Sequence, residues 1–119
     1  VPELYTTLLT ELARFDLAYV HLEATTDEET LVGLRKSWGG TLIVNPVVPM
    51  GPDRTDRPAA DRWLGLGADL ISFGRSFISN PDLVERLRAD LPIVEDDPSR
   101  WYQGGDAGYL DYSTYRHTA

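Results

Sequence analysis

The sequence has no cysteine. Disulfides and thiolate chemistry are therefore excluded, and a reducing, cytoplasmic setting is compatible. Basic residues are scarce, with 11 Lys and Arg against 19 Asp and Glu and a formal net charge of −8. That balance suits neither a nucleic-acid backbone nor an anionic membrane, although a local basic pocket stays open. No apolar run approaches the roughly 18 residues of a membrane span. The opening VPELYTTLLTELARF has neither the basic leader nor the long apolar centre of a signal peptide. It starts at Val1 rather than Met, as a processed, cleaved or partly observed chain would. There is no P-loop, no GxGxxG loop and no serine in a nucleophile-elbow context. The only histidines are His21 and His117. A metal site needs three or four ligands, so none is expected. His21 reads as a packed or rim histidine, and His117 as an unremarkable tail residue.

What is present is a regular alternation within 119 residues, enough for one modest domain, 1–119. Pro2 and Glu3 suit a first helical turn, and Leu4, Leu8, Leu9, Leu12 and Phe15 recur at helical spacing, predicting a helix over 2–15. Leu17–Leu22 is nearly all apolar, as in a strand covered on both faces. Thr26 and Glu29 form a capping box for a helix that Gly39-Gly40 ends. Thr41–Asn45 is a second strand. The stretch 46–58 holds four prolines and reads as loop. A helix from Arg57 or Pro58 to Gly67 and a strand over Asp69–Phe73 follow. Asn80 then caps a helix that starts at Pro81 and runs to about Asp90. The tail from Pro92 carries five aromatics and several glycines, as ordered irregular chain does.

Short apolar strands alternating with amphipathic helices predict an α/β fold with a parallel sheet. Three strands make a thin sheet with two unpaired edges. A closed (β/α)8 TIM barrel takes about 250 residues. A second chain supplying the rest, a truncation, or a small open sheet all fit the spacing.

In parallel α/β folds, ligands bind beyond the carboxyl ends of the strands. The third strand ends in Phe-Gly-Arg. Gly74 permits close backbone approach, and Arg75 offers an always-charged planar fork for phosphate oxygens. The Ser-Phe-Ile-Ser that follows suits one helical turn with N–H groups aimed at the same anion. A salt bridge from Arg75 to a rim carboxylate is the competing reading. Asn45, at the end of the second strand, holds a ligand or caps a turn. His21 and Glu23 share one strand face. Trp101, Tyr102, Tyr109 and Tyr112 either cover a planar cofactor or pack against the barrel floor or a neighbouring subunit.

Taken together, ADLISFGRSFISNPDLVERL and WYQGGDAGYLDY closely resemble the end of the old yellow enzyme family, the FMN-dependent ene reductases. LAYVHLEAT and GGTLIVNPV resemble that family's sixth and seventh barrel strands, so the likeness covers nearly the whole chain. The resemblance implies the C-terminal part of a TIM barrel: three parallel strands, their helices and the tail. It implies that Gly74 and Arg75 hold the FMN phosphate, that the backbone at Asn45 approaches it, and that Trp101 and Tyr102 lie near the flavin's outer edge. Where many members have Gly-Ala-Gly, this chain has Asn45-Pro46-Val47, and Pro46 has no N–H to donate. The loop Ala24–Glu28 is short and lacks the family's large aromatic. The proton donor and the carbonyl-gripping pair lie on earlier strands, so this chain carries no catalytic residue and is inactive alone. With the N-terminal part of the barrel, present as a second chain or a missing segment, the implied assembly passes hydride from NAD(P)H through FMN to a small activated alkene. It is cytoplasmic, contacts neither nucleic acid nor membrane, and can oligomerise. A non-enzymatic, self-associating half barrel and a small phosphate-ligand-binding α/β domain are the alternatives.

Overall fold

The computed structural model describes residues 2–23, 27–46 and 53–116. Its contacts divide the chain into two compact units, Val1–Ser72 and Phe73–Ala119.

The first unit is an α/β layer of three parallel strands flanked by helices, in the order α1 (Pro2–Leu12), β1 (Val20–Glu23), α2 (Glu28–Ser37), β2 (Leu42–Asn45), α3 (Arg57–Gly65) and β3 (Leu70–Ile71). The sheet order is β1-β2-β3, all parallel. Val20 stands opposite Leu42, and Ile43 opposite Leu70. Asp69 N–H donates to Leu42 O at 2.9 Å and Ser72 N–H to Val44 O at 2.9 Å, extending the ladder on both sides of the short third strand.

The sheet is clothed on one side. Leu9 and Leu12 from α1, Leu31 and Leu34 from α2, and Trp63 from α3 pack with Leu42 and Val44 in a single cluster. Full burial of a side chain such as Leu42 or Val44 contributes about 1.5–3 kcal/mol. Side chains alternate across a strand, so His21, Glu23, Ile43, Asn45 and Leu70 share the opposite face. Leu70 is 53% exposed there. In the first unit the described helices pack on one face of the sheet, the geometry of a barrel wall, whereas a doubly wound sheet carries helices on both faces. The expectation that the first strand is covered on both faces is therefore corrected, because its burial alternates.

Several boundaries differ from the sequence expectation. α1 ends at Leu12, because Phe15 is 65% exposed and finds no core against which to hold another turn. β1 starts at Val20, where β2 first offers a partner. β3 keeps only the residues that β2 can pair. Asp27 caps α2, accepting the Thr30 N–H on Oδ1 at 2.8 Å, while Thr26 lies outside the described residues. The helix stops before the glycine pair. Trp38 turns extended, its Nε1–H donates to Thr41 O at 2.9 Å, and its ring lies where a Cβ on Gly40 would be 2.8 Å from Cζ2. Gly40 thus admits an indole rather than terminating a helix. Asp69 Oδ2 accepts from the Leu42 N–H at 2.8 Å and from Arg35 at 3.1 Å, fixing the start of β2.

The second unit holds α4 (Arg75–Ser79), α5 (Leu83–Ala89), a 3-10 turn (Pro98–Arg100) and irregular chain. α5 starts at Leu83 with Asp82 at its N-cap position, two residues later than expected. Asn80 ends α4 and is fully buried, so it is no N-cap for α5. Among the described residues, no helix is long and apolar enough to cross a membrane.

Candidate functional site

Arg75 opens α4, with Gly74 at the N-cap. Gly74 has φ −101°, which any residue adopts, and a Cβ added there would meet nothing within 4 Å. The chain's own packing therefore does not require glycine at this position. The Arg75 guanidinium carbon lies 4.6 Å from the centroid of the Trp101 ring. Stacking engages the flat face of the guanidinium and sets the plane of its N–H edge, the part that forks onto phosphate or carboxylate.

Trp101 is itself fixed, since its indole Nε1–H donates to Oδ2 of Asp96. Asp97 accepts from Ser99 through both Oγ (2.7 Å) and N–H (3.0 Å), shaping the 3-10 turn just before Trp101. Those Ser99 hydrogen bonds, with Arg100 beside them, hold the Asp97 carboxyl below its ordinary pKa. Gly108 has φ +74°, and a Cβ there would lie 2.7 Å from Cβ of Arg100. Its N–H donates to Oδ1 of Asp111 at 2.7 Å. Together these contacts knit the tail into an ordered loop. Tyr102 is 93% exposed, and with Arg100, Gly104, Gly105 and Tyr109 it lines a shallow cleft of about 350 Å³.

The structure thus brings Arg75 and Trp101 together and places Gly74 directly before Arg75, while Tyr102 projects from the same segment. Asn45 belongs to the first unit, where its Oδ1 accepts from Thr55 Oγ1 at 3.4 Å. On the uncovered sheet face, His21 Nε2 and Ser72 Oγ are 3.0 Å apart, a rim position for that histidine. Sequence reasoning missed Asp96, which orients the indole, and the polar set of buried Asn80 and Arg86 with half-buried Asp82. The one available signal for that set was the four-residue spacing of Asp82 and Arg86 on a helix.

No protein-family model matches the chain. A 12-oxophytodienoate reductase-like protein of Solanum lycopersicum is 32% identical over 112 residues, covering 92% of this chain and 30% of that protein. Enoate reductase 1 of Kluyveromyces lactis is 52% identical over 46 residues, or 39% of this chain and 12% of that protein. Among solved structures, morphinone reductase in complex with tetrahydroNAD superposes with a TM-score of 0.82 at 35% identity, over 98% of this chain and 31% of that one. The old yellow enzyme from Trypanosoma cruzi gives a TM-score of 0.81 at 32% identity, over 97% of this chain and 30% of that one. The matched stretches therefore cover between 12% and 31% of the length of these four proteins.

Proposed function

We propose, on the premise that this chain belongs to the old yellow enzyme family and matches only part of its members' length, that it is the C-terminal portion of an FMN-dependent ene reductase. The observation that carries this reading is the 35% identity to morphinone reductase, sustained over 98% of the chain. On this reading, 1–119 supplies the last three barrel strands, their helices and the tail. A further stretch of polypeptide completes the barrel along the two sheet edges and over the face that bears His21, Ile43 and Leu70. It also brings the proton donor and the carbonyl-binding pair. The reaction is reduction of a small activated alkene by NAD(P)H in the cytoplasm.

The residues present fit a flavin phosphate. The space above Gly74 is open, and Arg75 is a cation whose orientation is set by an indole rather than by a long flexible reach. Bound FMN supplies the hydride relay that no side chain can provide. The chain's own share is positional. Gly74 lets the phosphate approach the backbone, and Arg75 pairs with its oxygens. Trp101 holds the guanidinium plane, and Tyr102 offers an aromatic edge from the same segment. In the first unit, Asn45 is assigned a cofactor contact on sequence grounds alone, next to a proline without an N–H.

Absorbance and intact mass of the purified protein that carries this chain test the assignment, together with FMN titration of an Arg75→Ala variant. A charge-assisted hydrogen bond contributes about 1.5–3 kcal/mol. Losing one weakens FMN binding roughly tenfold to a hundredfold. Unchanged FMN affinity would overturn the phosphate role. A colourless homodimer would favour the self-associating half barrel instead.

A further inference from the structure

Three polar side chains of the second unit play no part in the reading above, although the fold buries two of them and half-buries the third. Asn80 is 0% exposed, the Arg86 side chain 3% and the Asp82 side chain 16%. Their hydrogen bonds go to two stretches of chain far apart in sequence. Toward the first stretch, Asn80 Nδ2 donates to Val94 O at 2.9 Å and Asn80 Oδ1 accepts the Val94 N–H at 2.8 Å. Ser79 Oγ donates to the same carbonyl at 2.7 Å, and Arg86 Nη1 donates to Pro92 O at 2.9 Å. Toward the second, Arg86 Nη2 donates to Ser113 O at 3.0 Å, and Asp82 Oδ2 accepts the Tyr115 N–H at 2.8 Å. Arg86 Nε donates to Asp82 Oδ1 at 2.7 Å and joins the two sides. The Tyr115 ring lies over the guanidinium, 5.9 Å from centroid to Cζ.

Both ends of 94–113 are therefore tied to the single stretch 79–86, and Trp101 lies inside the loop so closed. A buried guanidinium is costly to desolvate, and that cost is offset only when its donors are matched. Here Nε, Nη1 and Nη2 each have an acceptor, two of them backbone carbonyls. An apolar residue would fill the space but would not fix where two backbone strands leave the neck. Closing the neck removes the freedom the loop would otherwise spend on moving Trp101.

We propose that Asn80, Asp82 and Arg86 are positioning residues that close the neck of the 94–113 loop and so hold the Trp101 ring against Arg75. The use made of that stack rests on the phosphate reading above, whereas the neck itself does not.

The test labels the protein that carries this chain with fluorotryptophan, assigns the Trp101 resonance by Trp101→Phe, and follows it beside amide exchange. Tyr115→Pro deletes the N–H that Asp82 accepts and leaves the buried side chains in place. Asp82→Ala removes the acceptor, and Asp82→Asn keeps an oxygen for Tyr115 but loses the charge. In Tyr115→Pro and Asp82→Ala, the expected result is a shifted Trp101 resonance and at least tenfold faster exchange across 95–112. The resonances of Trp38 and Trp63 and exchange across 28–45 stay unchanged, and Asp82→Asn falls between. An unmoved Trp101 resonance, or exchange raised equally in 28–45, would overturn the proposal. FMN affinity of Arg75→Ala is read separately. If it is unchanged, the phosphate reading fails, and the fluorine result still judges the neck.

Discussion

Arg86 and Arg88 sit two residues apart on α5, and each pairs with a carboxylate near the start of that helix. Arg86 reaches Asp82 at 2.7 Å and Arg88 reaches Glu85 at 2.9 Å. By sequence the two pairs look alike. They differ in surroundings, for the Arg86 side chain is 3% exposed whereas Arg88 and Glu85 are 69% and 67% exposed. Replacing Arg86 by Leu leaves the Pro92 and Ser113 carbonyls without their charged donor and Asp82 without its cation. Removing one partner of a buried pair costs about 3–5 kcal/mol, and that is the loss expected here. Arg88→Leu removes a solvent-screened contact and changes stability by no more than about 0.5 kcal/mol. With a urea dependence of about 1–3 kcal/mol per molar, Arg86→Leu lowers the unfolding midpoint by about 1 M or more, and Arg88→Leu leaves it nearly in place. Urea unfolding followed by tryptophan fluorescence measures both. Equal shifts in the two variants would refute the reasoning, because burial would then not be what separates them.

Acid should loosen the same neck. Burial pushes the Asp82 carboxyl up, but the Tyr115 N–H and the Arg86 guanidinium outweigh it and leave the group below its ordinary value of 3.8. A carboxylate with a depressed folded-state pKa contributes fully above its unfolded value and loses that contribution as pH falls through the folded one. Protection of amides in 95–112 is thus expected to be flat from neutral pH to about 5 and to fall only below the ordinary carboxylate range. A fall between neutral pH and 5 would assign the neck to some other group. Gly108→Ala and Gly105→Ala make a second pair. Both glycines have positive φ, +74° and +64°, but only at Gly108 would a Cβ strike Arg100, at 2.6 and 2.7 Å. Left-handed backbone costs an alanine about 1–2 kcal/mol at either site, and Gly108→Ala adds about 1 kcal/mol or more for displacing the 3-10 turn. Thermal unfolding that ranks the two variants equally would show that the Arg100 contact is relaxed without cost.

Much of the first unit was legible because its signals are local. Leu31 and Leu34 on α2, and the run Leu42–Val44, announce their elements by spacing and by apolar character, and the structure buries Leu31, Leu34, Leu42 and Val44 together. What spacing did not reveal is which strand faces are covered. His21 and Glu23 lie exposed on one face of β1, whereas the nearly apolar run Leu17–Leu22 reads as a strand covered on both faces. Strand ends were also hidden, because Val20 and Leu70 enter the sheet where β2 offers partners, and pairing is a property of two segments. In the candidate site, Arg75 was visible as a cation at a strand-to-helix junction. Its stacking on Trp101 and the grip of Asp96 on the indole were not, because each joins residues from separate stretches of chain. Asn80-Pro81-Asp82 read as a helix cap for a sound local reason, since those residue types cap helices well. Tertiary demand for donors and acceptors at Val94 and Tyr115 took Asn80 and Asp82 for the neck instead.

The two units are therefore held by different physics, and the difference bears on function. Leu42, Val44, Leu31 and Trp63 stabilise the first unit by removing apolar area from water, an interaction with little directional preference. Such a core tolerates volume-conserving exchange and specifies position loosely. The interior of the second unit includes Ser76, Ser79, Asn80, Arg86 and Asp96, all buried, alongside Leu83. Hydrogen bonds weaken steeply with angle and distance, so a polar interior fixes geometry more narrowly than it adds stability. That is the economy expected of a segment whose task is to hold one indole and one guanidinium in register. It follows that substitutions which preserve volume but not hydrogen bonding, such as Asn80→Leu, should disturb the Arg75–Trp101 stack far more than Leu42→Met disturbs the sheet.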